Sequence, residues 1–309
     1  MPTLAVAGAY LHHKTAVEEL LRKRLPDWTI VRPGDAAASD ACVAVCWDQP
    51  RDTWQQLPGL RMVHSIGAGV DSLVRDPGLP DVPICRVIDQ AQAQRLTEYA
   101  LWGTLTFHRG FDIAARNQRE LLWQRPANRA AADVVVGVMG LGEIGAHMAR
   151  ALAAQHYRVR GWSRSPRTMD GIETFSGADG LGPFLQATEV LICVLPLTDE
   201  TEGILSRDLL SRLAPGAKLI HVGRGPHFVE ADVLAALESG QLGGLLVDVF
   251  PVEPLPVDNA LWRHPKVMVT PHMAAVMPMP DVVGQIAENC ERLLAGQPLL
   301  RMVQRASGY

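Results

Sequence analysis

Short apolar runs alternate with longer amphipathic ones along the chain. Residues 4–7, 28–31, 42–46 and 62–66 read as strands and residues 14–25 repeat apolar positions at helical spacing, which predicts a first α/β unit. A proline-free stretch, 97–111, is compatible with a helix, and a mixed stretch, 117–133, follows it. The alternation then restarts more strongly. Strands are predicted at 134–139, 158–162, 190–194, 217–222, 244–247 and 267–270, with helical segments between most of them, and 280–295 reads as a final helix placed to pack back on the first unit. Alternation on this scale implies parallel, doubly wound sheets, because parallel neighbours need a crossover and a helix is the usual one.

Composition changes the picture in three ways. At 309 residues the chain exceeds one comfortable core, so two domains are expected, and 48% hydrophobic against 20% charged residues lets each bury one. Twenty-nine Lys and Arg against thirty-three Asp and Glu leave a net charge of -4, which gives no general attraction to nucleic acid or to an anionic membrane. The five cysteines, Cys42, Cys46, Cys85, Cys193 and Cys290, are odd in number and form no C-x-x-C, so they read as free thiols of a reducing compartment. With no basic n-region and cleavage site at the N-terminus, and no run of 18 apolar residues, a cytoplasmic protein is expected.

Gly140-Leu141-Gly142-Glu143-Ile144-Gly145 is a G-x-G-x-x-G that follows a predicted strand and opens the amphipathic run 144–154. In that context the glycines sit at a strand-to-helix turn, where backbone amides meet a dinucleotide pyrophosphate. About 20 residues on, an acidic side chain normally accepts the ribose 2′-hydroxyl of NAD. Here the chain reads Ser163-Arg164-Ser165-Pro166-Arg167, so a 2′-phosphate can lie against Arg164 and Arg167 with Ser163 and Ser165 beside them. The cofactor expected is NADP(H), with NAD(H) possible; a solvated basic loop is the plain alternative for the two arginines.

Three features fall after later strands: Gly223-Arg224-Gly225, then Asp248 with Glu253, then Thr270-Pro271-His272. Ligands bind beyond the carboxyl ends of parallel strands, so these converge on the cofactor together with Leu195, Pro196 and Val222. Reduction of a 2-oxo acid needs a cation for the carboxylate and a proton donor for the carbonyl oxygen, which Arg224 and His272 can supply. An adjoining carboxylate, Glu253, would favour the protonated imidazole. No metal-ligand spacing is present at His12-His13 or between His264 and His272, so no metal is expected.

These residues, with Gly67-Ala68-Gly69-Val70-Asp71, Trp162-Ser163-Arg164 and the closing Arg305-Ala306-Ser307-Gly308-Tyr309, resemble the D-2-hydroxyacid dehydrogenase family, within it the glyoxylate/hydroxypyruvate reductase A type, over nearly the whole chain. The resemblance implies two Rossmann-like domains with the active site in a cleft between them. The substrate domain is residues 1–97 plus 275–309, and the dinucleotide domain is 98–274. It also implies a catalytic set of Arg224, Glu253 and His272, a backbone-amide cradle for the substrate carboxylate at Ala68 and Gly69, and a substrate wall at Trp47, for which a plain apolar strand end is the alternative. A homodimer that reduces glyoxylate or hydroxypyruvate with NADPH follows. One departure stands out: His221-Val222-Gly223-Arg224-Gly225 replaces the Asn-x-Ala-Arg-Gly of many members, which predicts a lost backbone brace and a looser loop at Gly223. A dinucleotide-binding regulatory protein and a phosphite-type dehydrogenase of the same fold are the rival readings.

Overall fold

The computed structural model describes residues 1–8, 14–47, 49–50 and 52–304; His12, His13, Asp48 and the closing segment 305–309 lie outside the described residues. Contacts divide the chain into two compact units, Met1–Gln90 with Met277–Tyr309, and Ala91–Val276.

The first unit is built on β1 (Thr3–Ala7), α1 (Lys14–Arg24), β2 (Thr29–Val31), β3 (Ala41–Cys46), β4 (Met62–Ser65), α2 (Asp71–Val74) and β5 (Ile84–Cys85). The strands form one parallel sheet in the order β2-β1-β3-β4-β5. Successive residues of a strand point to opposite faces, and both faces are covered, which is why these strands read as unbroken apolar runs. On one face Leu4, Val6, Val43 and Val45 pack with Val17 and Leu21 of α1 and with Val282, Ile286 and Cys290 of the C-terminal helix. On the other, Ala5, Ala7, Ala44 and Cys46 pack under Trp54, Leu57 and Leu73.

The second unit runs α3 (Gln92–His108), α4 (Phe111–Arg119), β6 (Val135–Met139), α5 (Glu143–Ala154), β7 (Arg158–Ser163), β8 (Glu173–Ser176), α6 (Gly177–Gln186) and β9 (Val190–Cys193). It continues through α7 (Arg207–Ser211), β10 (Ala217–His221), α8 (Glu230–Ser239), β11 (Leu242–Val247) and β12 (Val267–Val269), while α9 (Met279–Leu294) belongs to the first unit. Its seven strands are parallel in the order β12-β11-β10-β9-β6-β7-β8. The order reverses between β6 and β9, and the crevice outside the carboxyl ends at such a switch point is where ligands bind in doubly wound sheets.

Several elements depart from the sequence expectation. The helix placed at 97–111 begins at Gln92, because Gln92 to Arg95 are good helix formers that carry no apolar period, and it stops before Gly110, whose φ of +65° opens α4, a helix the sequence reading did not set apart and whose last turn enters the stretch read as mixed. Strand β8, Glu-Thr-Phe-Ser, has no predicted counterpart: it lies at the sheet edge with no fully buried residue, so it lacks the apolar run that marks the other strands.

Candidate active site

The three glycines of the 140–145 turn do three different jobs. Gly140 sits at φ +112°, and a Cβ there would stand 3.0 Å from the Val194 carbonyl oxygen, so the chain turns tightly beside the end of β9. Gly145 packs α5 onto the turn so closely that a Cβ would lie 1.7 Å from the Gly140 carbonyl oxygen. Gly142, the residue before α5, has no atom within 4 Å of where its Cβ would be, which leaves the backbone open to a ligand at the helix N-terminus. Leu141 is buried against Gly161, so only its backbone can face a ligand, whereas Glu143 is exposed and Ile144 half-buried. This cradle fits a dinucleotide pyrophosphate.

At the end of β7, Ser163 Oγ donates to the Ser165 carbonyl (2.8 Å), which curls the loop and leaves Arg164, Ser165 and Arg167 exposed. Arg164 Nη1 meets Glu200 Oε2 at 3.2 Å with both side chains more than two-thirds exposed. A pair so wet is worth little, so a phosphate can displace it.

Beyond β9 and β10 the structure corrects one expectation: the loop at Gly223 is braced, not loose. His221 and His227 are both fully buried. Arg224 N–H donates to His227 Nδ1 (3.0 Å), so that nitrogen is bare and His227 Nε2 carries the proton, which it donates to the Pro196 carbonyl (3.2 Å). The Arg224 carbonyl accepts from His221 Nε2 at 3.0 Å. Burial first, then the neighbouring His227, pushes the His221 pKa down to about 3, so this ring is neutral. Gly223 is what makes room: a Cβ there would stand 2.8 Å from His227 Nδ1. The half-buried Arg224 side chain turns back to donate from Nη1 to the Gly223 carbonyl (2.9 Å). Leu195 and Val222 are buried at the same strand ends and Pro196 is exposed.

Glu253 and His272 are brought together. His272 Nδ1 stands 2.8 Å from Glu253 Oε2, and Glu253 Oε1 accepts from Phe250 N–H at 2.8 Å. With Nδ1 committed to the carboxylate, the transferable proton belongs on Nε2. His272 takes a left-handed φ of +50°. Asp248 holds that bend from beneath: its buried carboxylate accepts from Thr270 Oγ1 (2.5 Å), Met273 N–H (2.8 Å) and Ala274 N–H (2.9 Å). Because the Thr270 proton goes to Asp248, Tyr99 donates its hydroxyl proton to Thr270 Oγ1 at 2.6 Å. Sequence reasoning set Asp248 beside the cofactor and missed this anchoring, along with Tyr99, His221 and His227; no motif marks them.

In the first unit, Trp47 and the Gly67-Ala68-Gly69 turn follow the adjacent strands β3 and β4. The Trp47 ring lies so close over Gly67 that a Cβ there would stand 1.7 Å from Cζ3. Ser65 Oγ bridges the carbonyls of Gly67 (3.0 Å) and Gly69 (3.3 Å), and Arg86 Nη1 donates to the Ala68 carbonyl (3.3 Å). Among the described residues one cluster has metal-ligating atoms in proximity: Cys193, His221 and His227, within 4.8 Å of one another. Both nitrogens of His227 and Nε2 of His221 already serve backbone partners, which leaves two atoms for an ion.

The family model for the D-isomer specific 2-hydroxyacid dehydrogenase NAD-binding domain matches residues 101–274. The glyoxylate/hydroxypyruvate reductase A of Serratia proteamaculans is 40% identical over 297 residues, 94% of each chain. A D-isomer specific 2-hydroxyacid dehydrogenase family protein from Klebsiella pneumoniae superposes with a TM-score of 0.89 at 43% identity, covering 99% of this chain and 98% of the other. An NADPH-dependent glyoxylate/hydroxypyruvate reductase from Sinorhizobium meliloti, solved with NADP and sulfate, superposes with a TM-score of 0.85 at 35% identity over 100% of both chains. The chain belongs to the D-isomer specific 2-hydroxyacid dehydrogenase family.

Proposed function

We propose that the protein reduces small 2-oxo acids, glyoxylate and hydroxypyruvate among them, to 2-hydroxy acids with NADPH. The observation that carries this reading is the His272 and Glu253 couple, 2.8 Å apart in the unit that carries the dinucleotide cradle. When bound, NADPH supplies the hydride. Arg224 takes the substrate carboxylate. His272 Nε2 gives its proton to the carbonyl oxygen as that oxygen becomes a hydroxyl, and Glu253 fixes the tautomer and stabilises the charged ring between proton transfers. Product analysis tests this: glyoxylate incubated with enzyme and NADPH is expected to yield glycolate, and its absence at saturating cofactor would contradict the reading.

NADPH is placed over NADH because the end of β7 presents Ser163, Arg164 and Arg167 where a carboxylate would repel a 2′-phosphate. A charge-assisted hydrogen bond is worth about 1.5–3 kcal/mol, and these arginines are exposed, so the lower end applies to each. The Arg164→Ala, Arg167→Ala variant is expected to lose about 10- to 100-fold in kcat/KM for NADPH with NADH little changed. An equal loss for both cofactors would count against a 2′-phosphate site.

We also infer a homodimer and a cytoplasmic setting. Leu121 is 92% and Trp123 100% exposed, with Leu122 and Phe111 also half or more exposed nearby in sequence, an expense of apolar surface that a second copy would cover. Sedimentation is expected to give a dimer for the native chain and a largely monomeric Trp123→Asp variant; a native monomer at micromolar concentration would contradict this. All five cysteines are free thiols, as suits a reducing compartment, and no described helix is long and apolar enough to cross a membrane.

A further inference from the structure

We propose that His221 and His227 are positioning residues that clamp the backbone of Arg224 from both sides and so set where its guanidinium meets the substrate carboxylate. The inference rests on the reading of Arg224 as the carboxylate-binding residue. Three observations carry it. The two rings engage opposite backbone groups of the same residue, one accepting from Arg224 N–H and the other donating to the Arg224 carbonyl, both at 3.0 Å. Each ring is itself fixed: His221 stacks on Phe228 with an interplanar angle of 6°, and His227 reaches the Pro196 carbonyl with its other nitrogen, tying the loop after β10 to the loop after β9. Finally, Gly223 keeps clear the space that the His227 ring fills.

The clamp explains how the loop stays braced with His221 and Gly223 in place of the Asn-x-Ala-Arg-Gly pattern that the family resemblance led one to expect. The ring of His221 supplies the donor that the departure appeared to remove, and the missing methyl at Gly223 is needed by the second ring. The two rings grip backbone atoms of Arg224, while its guanidinium donates separately from Nη1 to the Gly223 carbonyl. Losing either bond leaves a backbone group without its partner and lets the loop drift, and a displacement of about 1 Å in a positioning group can cost about 10²-fold.

The test compares His221→Leu, which removes the donor, with His221→Gln, whose amide nitrogen reaches the position of the histidine Nε2. His221→Leu is expected to raise KM for the 2-oxo acid and weaken inhibition by oxamate, a carboxylate mimic, by about 10- to 100-fold, with NADPH affinity unchanged. His221→Gln is expected to stay within about threefold of the native enzyme. Gly223→Ala keeps both histidines but pushes a methyl against His227, and is expected to reproduce the oxamate-selective loss; it decides the matter if His221→Leu does not fold. Arg224→Gln serves as the reference. If Arg224→Gln binds oxamate normally, the assignment of Arg224 itself fails. If Arg224→Gln loses oxamate while His221→Leu and Gly223→Ala keep it, or lose NADPH in equal measure, the clamp is overturned.

Discussion

Replacing His272 by asparagine is expected to lower turnover of a 2-oxo acid by about 10² to 10⁴ while NADPH affinity stays within about twofold. Asparagine is the informative choice because His272 sits at φ +50°, a left-handed conformation that asparagine adopts with little cost, so the bend survives and the proton donor alone is lost. The amide cannot give up a proton to the forming alkoxide. Steady-state rates together with NADPH fluorescence titration check both halves of this expectation. A near-native rate would remove His272 from the chemistry, and a parallel loss of NADPH binding would make it a cofactor contact.

Asp248→Asn is expected to destabilise the protein by about 2–4 kcal/mol, lowering the midpoint of thermal unfolding by roughly 5–10 °C, and to depress activity as well. The Asp248 carboxylate receives three donors, two on Oδ1 and one on Oδ2. Whichever way an asparagine amide is turned, its NH2 group faces an N–H or O–H that points at it, and at least one buried donor is left without an acceptor. Those donors flank His272 in sequence, so the bend that aims the imidazole loosens with them. Thermal unfolding and kcat measured on the same preparation check this. An unchanged midpoint would mean that water or a shifted side chain satisfies the donors.

Much of the fold was legible because both sheets are buried on two faces. Strands such as Val135–Met139 and Val190–Cys193 are unbroken apolar runs, and the intervening helices carry the other period. The edge strand Glu173–Ser176 was not legible because it has no buried apolar run, and the strand Ile84–Cys85, though buried, is only two residues long and too short to leave a pattern. In the site, the residues at the strand ends could be named from spacing, but their supports could not. Nothing in the order His-Val-Gly-Arg-Gly-Pro-His announces that two rings grip one backbone residue; that follows from the tautomers which Arg224 N–H and the Arg224 carbonyl impose. The reading of Gly223 as a loosening residue failed for the same reason, because a missing side chain is permissive only where no neighbour fills its space. Asp248, read from the sequence as a residue beside the cofactor, also serves as an anchor that the sequence did not announce: a buried carboxylate with three internal donors.

On the proposed reading the chain turns over a small 2-oxo acid at the expense of NADPH. The direct measurement follows NADPH and NADH absorbance in parallel while purified protein meets glyoxylate, hydroxypyruvate, pyruvate and phenylpyruvate. Rapid NADPH consumption with glyoxylate or hydroxypyruvate, slower with NADH, is the predicted result. Tight NADPH binding with no consumption in the presence of any of the four acids would contradict it.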